Sequence, residues 1–197
     1  MERKLKPIFV QQNLQEKGVG LFSPLEFQRI FSVSLRASQE FIKDHTSDIF
    51  LKLKNGLYAL RSDPPKEEVI ANRLYAPSYS SFEYAMARYG LIPESVYAVT
   101  SATTRITREF IVNHKSFEYS RIKKQAYRGY KAQKAEGMTI LIAEPEKALV
   151  DYLYFVDLKL KRLNERLNLR KVKKKAAIEY ARLFERKSLL ILAGKIL

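Results

Sequence analysis

The sequence predicts an α+β protein in three stretches: three short helices and a β-hairpin within residues 1–61, mixed helices and strands after a double proline, and a helical, basic end. Three observations predict it. Capped, periodic helical segments precede an Asn-Gly turn flanked by β-prone runs. Ser62-Asp63-Pro64-Pro65 then interrupts the chain, because a doubled proline continues neither helix nor strand. Beyond Asp157, aromatic mixed sequence gives way to Lys, Arg and Leu. The domains expected are therefore 1–63 and 66–197, the second made of a mixed α/β part, 66–156, and a basic helical part, 157–197.

The first helix is expected from Pro7 to Lys17, ended by Gly18 and Gly20. Ser23-Pro24-Leu25-Glu26 starts the second: Ser23 caps it, Pro24 suits its first position, and Glu26 stands where a capping box needs its acid. That helix ends near Phe31. Ser34 caps a third, from Leu35 to about His45, so the two short helices have helix-turn-helix proportions. At about 100° per residue, Leu35, Ser38, Phe41, Ile42 and His45 share one side of the third helix, and Arg36, Gln39, Glu40 and Lys43 the other. A guanidinium, an amide and an ammonium on one face suit base edges and phosphates in a major groove. An ordinary solvated helix carries similar residues.

The next segment separates the two readings. Ile49 to Lys54, Asn55-Gly56, then Leu57 to Arg61 reads as a hairpin, and Asn-Gly predicts a type I′ turn with both central φ angles positive. A hairpin directly after a helix-turn-helix predicts a winged helix, with Lys52 and Lys54 near the tip of the wing and within reach of sugar-phosphate. Ser34 at the helix start and Asn55 at the turn complete a candidate DNA-binding set with Arg36, Gln39, Lys43, Lys52 and Lys54.

Further on, a helix is expected over Glu67–Tyr75. A second runs to Tyr89 and closes at Gly90, with Ser80 and Glu83 at capping-box spacing. Val96–Thr100, Thr107–Val112 and Thr139–Ala143 are β-prone. Glu144-Pro145-Glu146 opens a helix over Lys147–Phe155, and Leu158–Leu197 reads as two or three amphipathic helices. In the last of these, Leu189, Leu190, Leu192 and Ile196 are too apolar to be left in water.

Most reaction chemistry is missing. With no cysteine there is no disulfide, thiolate zinc site or thiol nucleophile. His45 and His114 lie far apart, and His45, between Asp44 and Asp48, reads as a helix-end partner or a packed side chain and not a metal ligand. No glycine pattern cradles phosphate, and no nucleophile elbow occurs. The acid–lysine triplet of many nucleases is out of step at Glu144-Pro145-Glu146-Lys147. It fits at Asp157-Leu158-Lys159 and Glu185-Arg186-Lys187, but in helix-like sequence where so short a pattern recurs by chance. Neither an enzyme nor a cofactor or metal is expected.

The net charge of +15 is uneven: residues 157–197 hold 13 Lys and Arg against 4 Asp and Glu, including the run Arg170-Lys171-Val172-Lys173-Lys174-Lys175. Such clustering points to a polyanion, nucleic acid or an anionic membrane face, or else to a solvated helix surface. No apolar run reaches the ~18 residues of a membrane span. The charged start, Met1 to Lys6, is no signal core, so a cytoplasmic protein without a membrane partner is expected.

Four stretches carry a family resemblance: Lys52 to Leu60; Pro77 to Ala85 with Tyr89-Gly90-Leu91-Ile92; Phe117-Glu118-Tyr119 with Ile122; and, most specifically, Ile142-Ala143-Glu144-Pro145-Glu146-Lys147-Ala148-Leu149-Val150-Asp151. Over about residues 20–155 the chain resembles the antitoxin and transcriptional regulator of the AbiE abortive-infection toxin–antitoxin systems. The resemblance implies a winged helix that binds double-stranded DNA at the promoter of its own operon and represses it. It also implies an antitoxin domain opposing a nucleotidyltransferase-like toxin, in general without a stable complex. The family's DNA-contacting helix and wing correspond to Arg36, Gln39, Lys43, Lys52 and Lys54. No catalytic role attaches to the 144–151 motif, and the basic end lies outside the match. The alternative is a toxin-neutralising interaction module that binds DNA only incidentally.

Overall fold

The computed structural model describes residues 5–135 and 137–197, so the first four residues of the charged start, Met1 to Lys4, lie outside it. The fold is mixed α/β with two sheets, and the chain divides into two compact units, Met1–Lys66 and Glu67–Leu197. Among the described residues no helix is long and apolar enough to cross a membrane.

In the first unit, α1 (Pro7–Glu16) carries proline at its start and Lys17 at its C-cap. β1 (Leu21–Phe22) follows, a strand too short to leave a periodic signal. α2 (Pro24–Phe31) begins with the expected reciprocal cap: the Ser23 hydroxyl accepts from Glu26 N at 3.2 Å, and the Glu26 carboxylate accepts from Ser23 N at 2.7 Å. It ends at Ser32, held in the left-handed region at φ 52°. α3 (Leu35–Asp44) starts three residues after α2 and is capped by Ser34, whose hydroxyl accepts from Ala37 N at 3.1 Å. β2 (Phe50–Lys54) and β3 (Leu57–Leu60) form an antiparallel hairpin, and β1 adds to its other side in the order β1-β3-β2.

The hairpin turn corrects one expectation. Gly56 has positive φ (76°) but Asn55 does not, so the turn is not type I′. The register shifts between Lys52, opposite Tyr58, and Lys54, opposite Leu57, and this bulge supplies the local twist that a primed turn otherwise provides. A turn with two positive φ angles occurs instead at Asn113 (47°) and His114 (65°), in a hairpin of the second unit.

The core of the first unit gathers Val10, Leu14, Phe22, Phe27, Ile42, Ile49, Phe50 and Leu60. Ser38 sits on the buried row of α3, fully covered, and donates its hydroxyl proton to the carbonyl of Pro24 at 2.7 Å. A polar group is therefore satisfied where the two helices meet.

The second unit is built on a six-stranded mixed sheet: β4 (Ser78–Ser80), β5 (Val99–Thr103), β6 (Arg108–Val112), β7 (Lys115–Arg121), β8 (Tyr130–Ala135) and β9 (Met138–Ala143), in the order β6-β7-β5-β4-β9-β8. β5 and β7 run parallel, as do β4 and β9, while the remaining neighbours are antiparallel. The helices are α4 (Glu67–Leu74), α5 (Phe82–Tyr89), α6 (Pro145–Asp157), α7 (Lys174–Arg182) and α8 (Lys187–Ile196), with α5, α7 and α8 packed on α6.

Three expectations are corrected here. Ser80 does not cap α5; it lies in buried β4, and the cap position belongs to Ser81, whose hydroxyl donates to Asp151 and not to its own helix. The strand expected at Val96–Thr100 is displaced to Val99–Thr103, because pairing with β4 and β7 sets its bounds. Residues 158–173 are not helical. The side-chain oxygens of Asn164 and Asn168 accept from the backbone N–H two residues on (Arg166, 2.8 Å; Arg170, 3.3 Å), a local bond that competes with helix. Tertiary bonds fix the segment as well: Asn168 N donates to Leu91 O at 2.8 Å, and Tyr152 donates its hydroxyl proton to Arg162 O at 2.5 Å. Of the apolar residues at the end, Leu189 is fully buried.

Gly129 marks a close approach. A Cβ there would lie 2.7 Å from the ring of Tyr180, and the residue has φ 78°. Gly129→Ala is expected to cost about 2–3 kcal/mol, from overpacking and the left-handed backbone together. Urea unfolding of the full chain measures it; a loss under about 0.5 kcal/mol contradicts the contact.

Candidate nucleic-acid interface

The amphipathic sorting of α3 sets this surface. Ser38 and Ile42 turn into the core, and the opposite row, Arg36, Gln39, Glu40 and Lys43, is exposed. Phe41, half-buried, stacks on Phe27 with ring centroids 5.7 Å apart, which fixes the rotation of the helix about its axis. Phe27 thus settles which side of α3 faces water.

The Arg36 guanidinium is already engaged. Its Nε donates to Glu40 Oε1 at 2.9 Å, with the two side chains 88% and 61% exposed, and this hydrogen bond to Glu40 holds Arg36 above its ordinary pKa. So exposed a pair exchanges readily with water or a phosphate. Ser34 is exposed, and with its oxygen accepting from Ala37 N its hydroxyl proton still has a donor's freedom. On the hairpin, Lys52 and Asn55 are exposed and Lys54 is half-buried. All seven candidate residues thus lie on α3, its cap or the β2–β3 hairpin, and none is in the core.

His45 is the C-cap of α3, and its Nδ1 lies 3.0 Å from Asp48 Oδ2. That hydrogen bond holds Asp48 below the usual carboxylate range. His114 occupies the β6–β7 turn. Among the described residues no group of three or more His, Asp or Glu is placed to hold a metal ion.

The acid–lysine segments are absorbed by structure. Asp157 accepts from Arg186 Nε at 2.6 Å, and Glu185 faces Lys123 at 3.9 Å. Glu144 accepts from the Tyr180 hydroxyl at 2.6 Å and pairs with Lys131 at 2.9 Å, which together lower its pKa. Glu146 accepts from Lys173 N at 3.0 Å. The two acids at the start of α6 therefore anchor β8 and the chain entering α7.

Lys147 and Asp151, one turn apart on α6, form an ion pair that is fully buried. Asp151 also accepts from the hydroxyls of Tyr79 (2.9 Å) and Ser81 (2.7 Å), while the Lys147 ammonium lies 4.7 Å from the centroid of Phe184. Burial pushes the Lys147 pKa down and that of Asp151 up, each opposed by the charge of the other. The i,i+4 spacing was visible in the sequence; nothing local marked the pair as buried.

Compared with known proteins, the chain matches no protein-family model and no curated protein.

Proposed function

We propose that the chain is a DNA-binding transcriptional autorepressor whose first unit is a winged helix, with α3 as recognition helix and β2–β3 as wing. One observation carries the reading: α3 follows α2 after three residues, seals Ser38 and Ile42 inward, and leaves Arg36, Gln39 and Lys43 exposed just before a lysine-bearing hairpin. In this reading Lys52 and Lys54 hold phosphates, and Arg36, Gln39 and Lys43 choose the sequence. Glu40 holds Arg36 in place until a base edge replaces it.

The likeness of residues 77–92 and 142–151 to AbiE-type antitoxins extends the proposal to a cellular role, opposition to a nucleotidyltransferase-like toxin. Co-expression with a toxin encoded by the adjacent gene tests that part, and growth that the chain fails to rescue contradicts it.

The DNA-binding part is tested by gel-shift titration on the upstream DNA at two salt concentrations. Arg36→Ala or Gln39→Ala is expected to weaken binding to the cognate site about ten- to a hundredfold and to relax sequence preference. Lys54→Ala is expected to weaken binding to all sequences alike and to reduce the salt slope by about one. Identical behaviour of the two classes of variant overturns the assignment.

A further inference from the structure

The second unit carries a cationic surface that the helix–hairpin reading does not use. The first turn of α7 holds Lys173, Lys174 and Lys175, all exposed, with no acid among them. A helix N-terminus is the positive end of the macrodipole, so lysines there oppose the helix they begin. Arg170 precedes them, exposed Arg128 adjoins Gly129, which abuts Tyr180 of α7, and exposed Lys131 lies on β8. Lys131 and Lys173 both act on the same carboxylate, Glu144, and lower its pKa, which brings the two segments into one electrostatic neighbourhood.

The two acids at the start of α6 are taken up by protein groups, while Glu179 of α7 is exposed. Glu146 is 7% exposed and takes up Lys173 N; Glu144 is occupied by Tyr180 and Lys131. The outer layer holds more cations than acids, and among the described residues Arg128, Arg170, Lys174 and Lys175 form no ion pair.

We infer that this surface binds the phosphodiester backbone of a nucleic acid without reading its sequence. Lysine is a flexible point charge suited to phosphate, and several in one cluster release counterions together. The apolar residues nearby are withdrawn: Val172 packs half-buried against the core, and Ala177 and Ala181 are fully buried. A membrane-docking face needs exposed apolar groups to insert, and a protein interface needs an aromatic or apolar anchor, so the nucleic-acid backbone fits best. The inference deepens the DNA-binding reading while using none of its residues.

The test uses the full chain and the triple variant K173Q/K174Q/K175Q, with the corresponding triple arginine variant as charge-preserving control. Anisotropy titrations at several salt concentrations use a random-sequence DNA duplex and, separately, an RNA stem-loop of similar length. On the duplex, the glutamine variant is expected to make the slope of log affinity against log salt shallower by about two to three, and the arginine variant to restore it. The thermal midpoint should not fall, because the substitutions relieve the dipole conflict. Which arm responds, DNA, RNA or both, identifies the source of the backbone.

Slopes unchanged in both arms overturn the inference. So does a loss confined to phosphatidylserine vesicles or polyglutamate, measured in parallel. The two proposals fail separately. A glutamine variant with a parental slope, beside an Arg36→Ala variant that loses sequence preference, removes only this surface; the converse removes only the α3 reading.

Discussion

Asp151→Ala is expected to destabilise the second unit by about 3–5 kcal/mol, because it leaves a buried ammonium without its counter-charge. The same change strips the Tyr79 and Ser81 hydroxyls of their acceptor in a region where each is buried. Lys147→Met should cost less, since Asp151 keeps two hydroxyl donors and methionine fills a similar volume. In that variant the carboxyl, raised by burial and no longer opposed by Lys147, holds its proton to higher pH in the folded than in the unfolded chain. The folded state then binds more protons, so stability is fullest below pH about 4 and falls as pH rises toward the folded value. The double variant D151A/K147M should recover part of the loss of Asp151→Ala, and the recovered fraction measures the coupling. Urea titrations give all three numbers. A cost below about 1 kcal/mol for Asp151→Ala contradicts a dry, paired site.

Phe27→Ala should cost about 3–5 kcal/mol in the first unit, the range for deleting a buried phenyl ring. Phe27 is fully buried, with its centroid 5.8 Å from Phe22, 4.5 Å from Phe31, 5.7 Å from Phe41 and 6.1 Å from Phe50. It ties α2 to α3 and to β2, so its loss frees α3 to rotate and scatters the Arg36–Gln39–Lys43 row. The sequence-specific DNA binding proposed for this row should then disappear, while Lys147 and Asp151 stay protected in their own unit. Hydrogen exchange resolved by segment checks this. Residues 20–60 should exchange faster and residues 140–157 should not; equal protection in both contradicts the central place given to this ring.

The same contrast shows what was readable before any fold was known. The start of α2, its capping box at Ser23 and Glu26, the cap at Ser34, the hairpin over residues 50–60 and the helix opened by Pro145 stand where the sequence predicts them. Each is a matter of a few adjacent residues meeting their own backbone. The exposed row of α3 was legible for a related reason: helical periodicity alone separates Arg36, Gln39 and Lys43 from Ser38 and Ile42.

Other features were not available to local reasoning. No local pattern predicts β1, β4, β7 or β8. β1 and β4 are two and three residues long, and β4 is strand only because β5 and β9 flank it. β7 finds its parallel neighbour, β5, across other secondary structure. The Asn-Gly turn took the conformation that a bulge allowed and not the one its dipeptide favours.

On the sequence Glu144 and Glu146 open a helix that Lys147 and Asp151 continue, and the structure gives all four partners within the protein. The sequence by itself determined where helices begin, where the chain breaks and where positive charge collects, since short-range hydrogen bonds, fixed proline φ angles and residue charge need no distant partner. Only the tertiary structure decided which charges leave water and which strands pair. Both depend on what the remote chain brings to cover them, and desolvation is a property of the assembled fold.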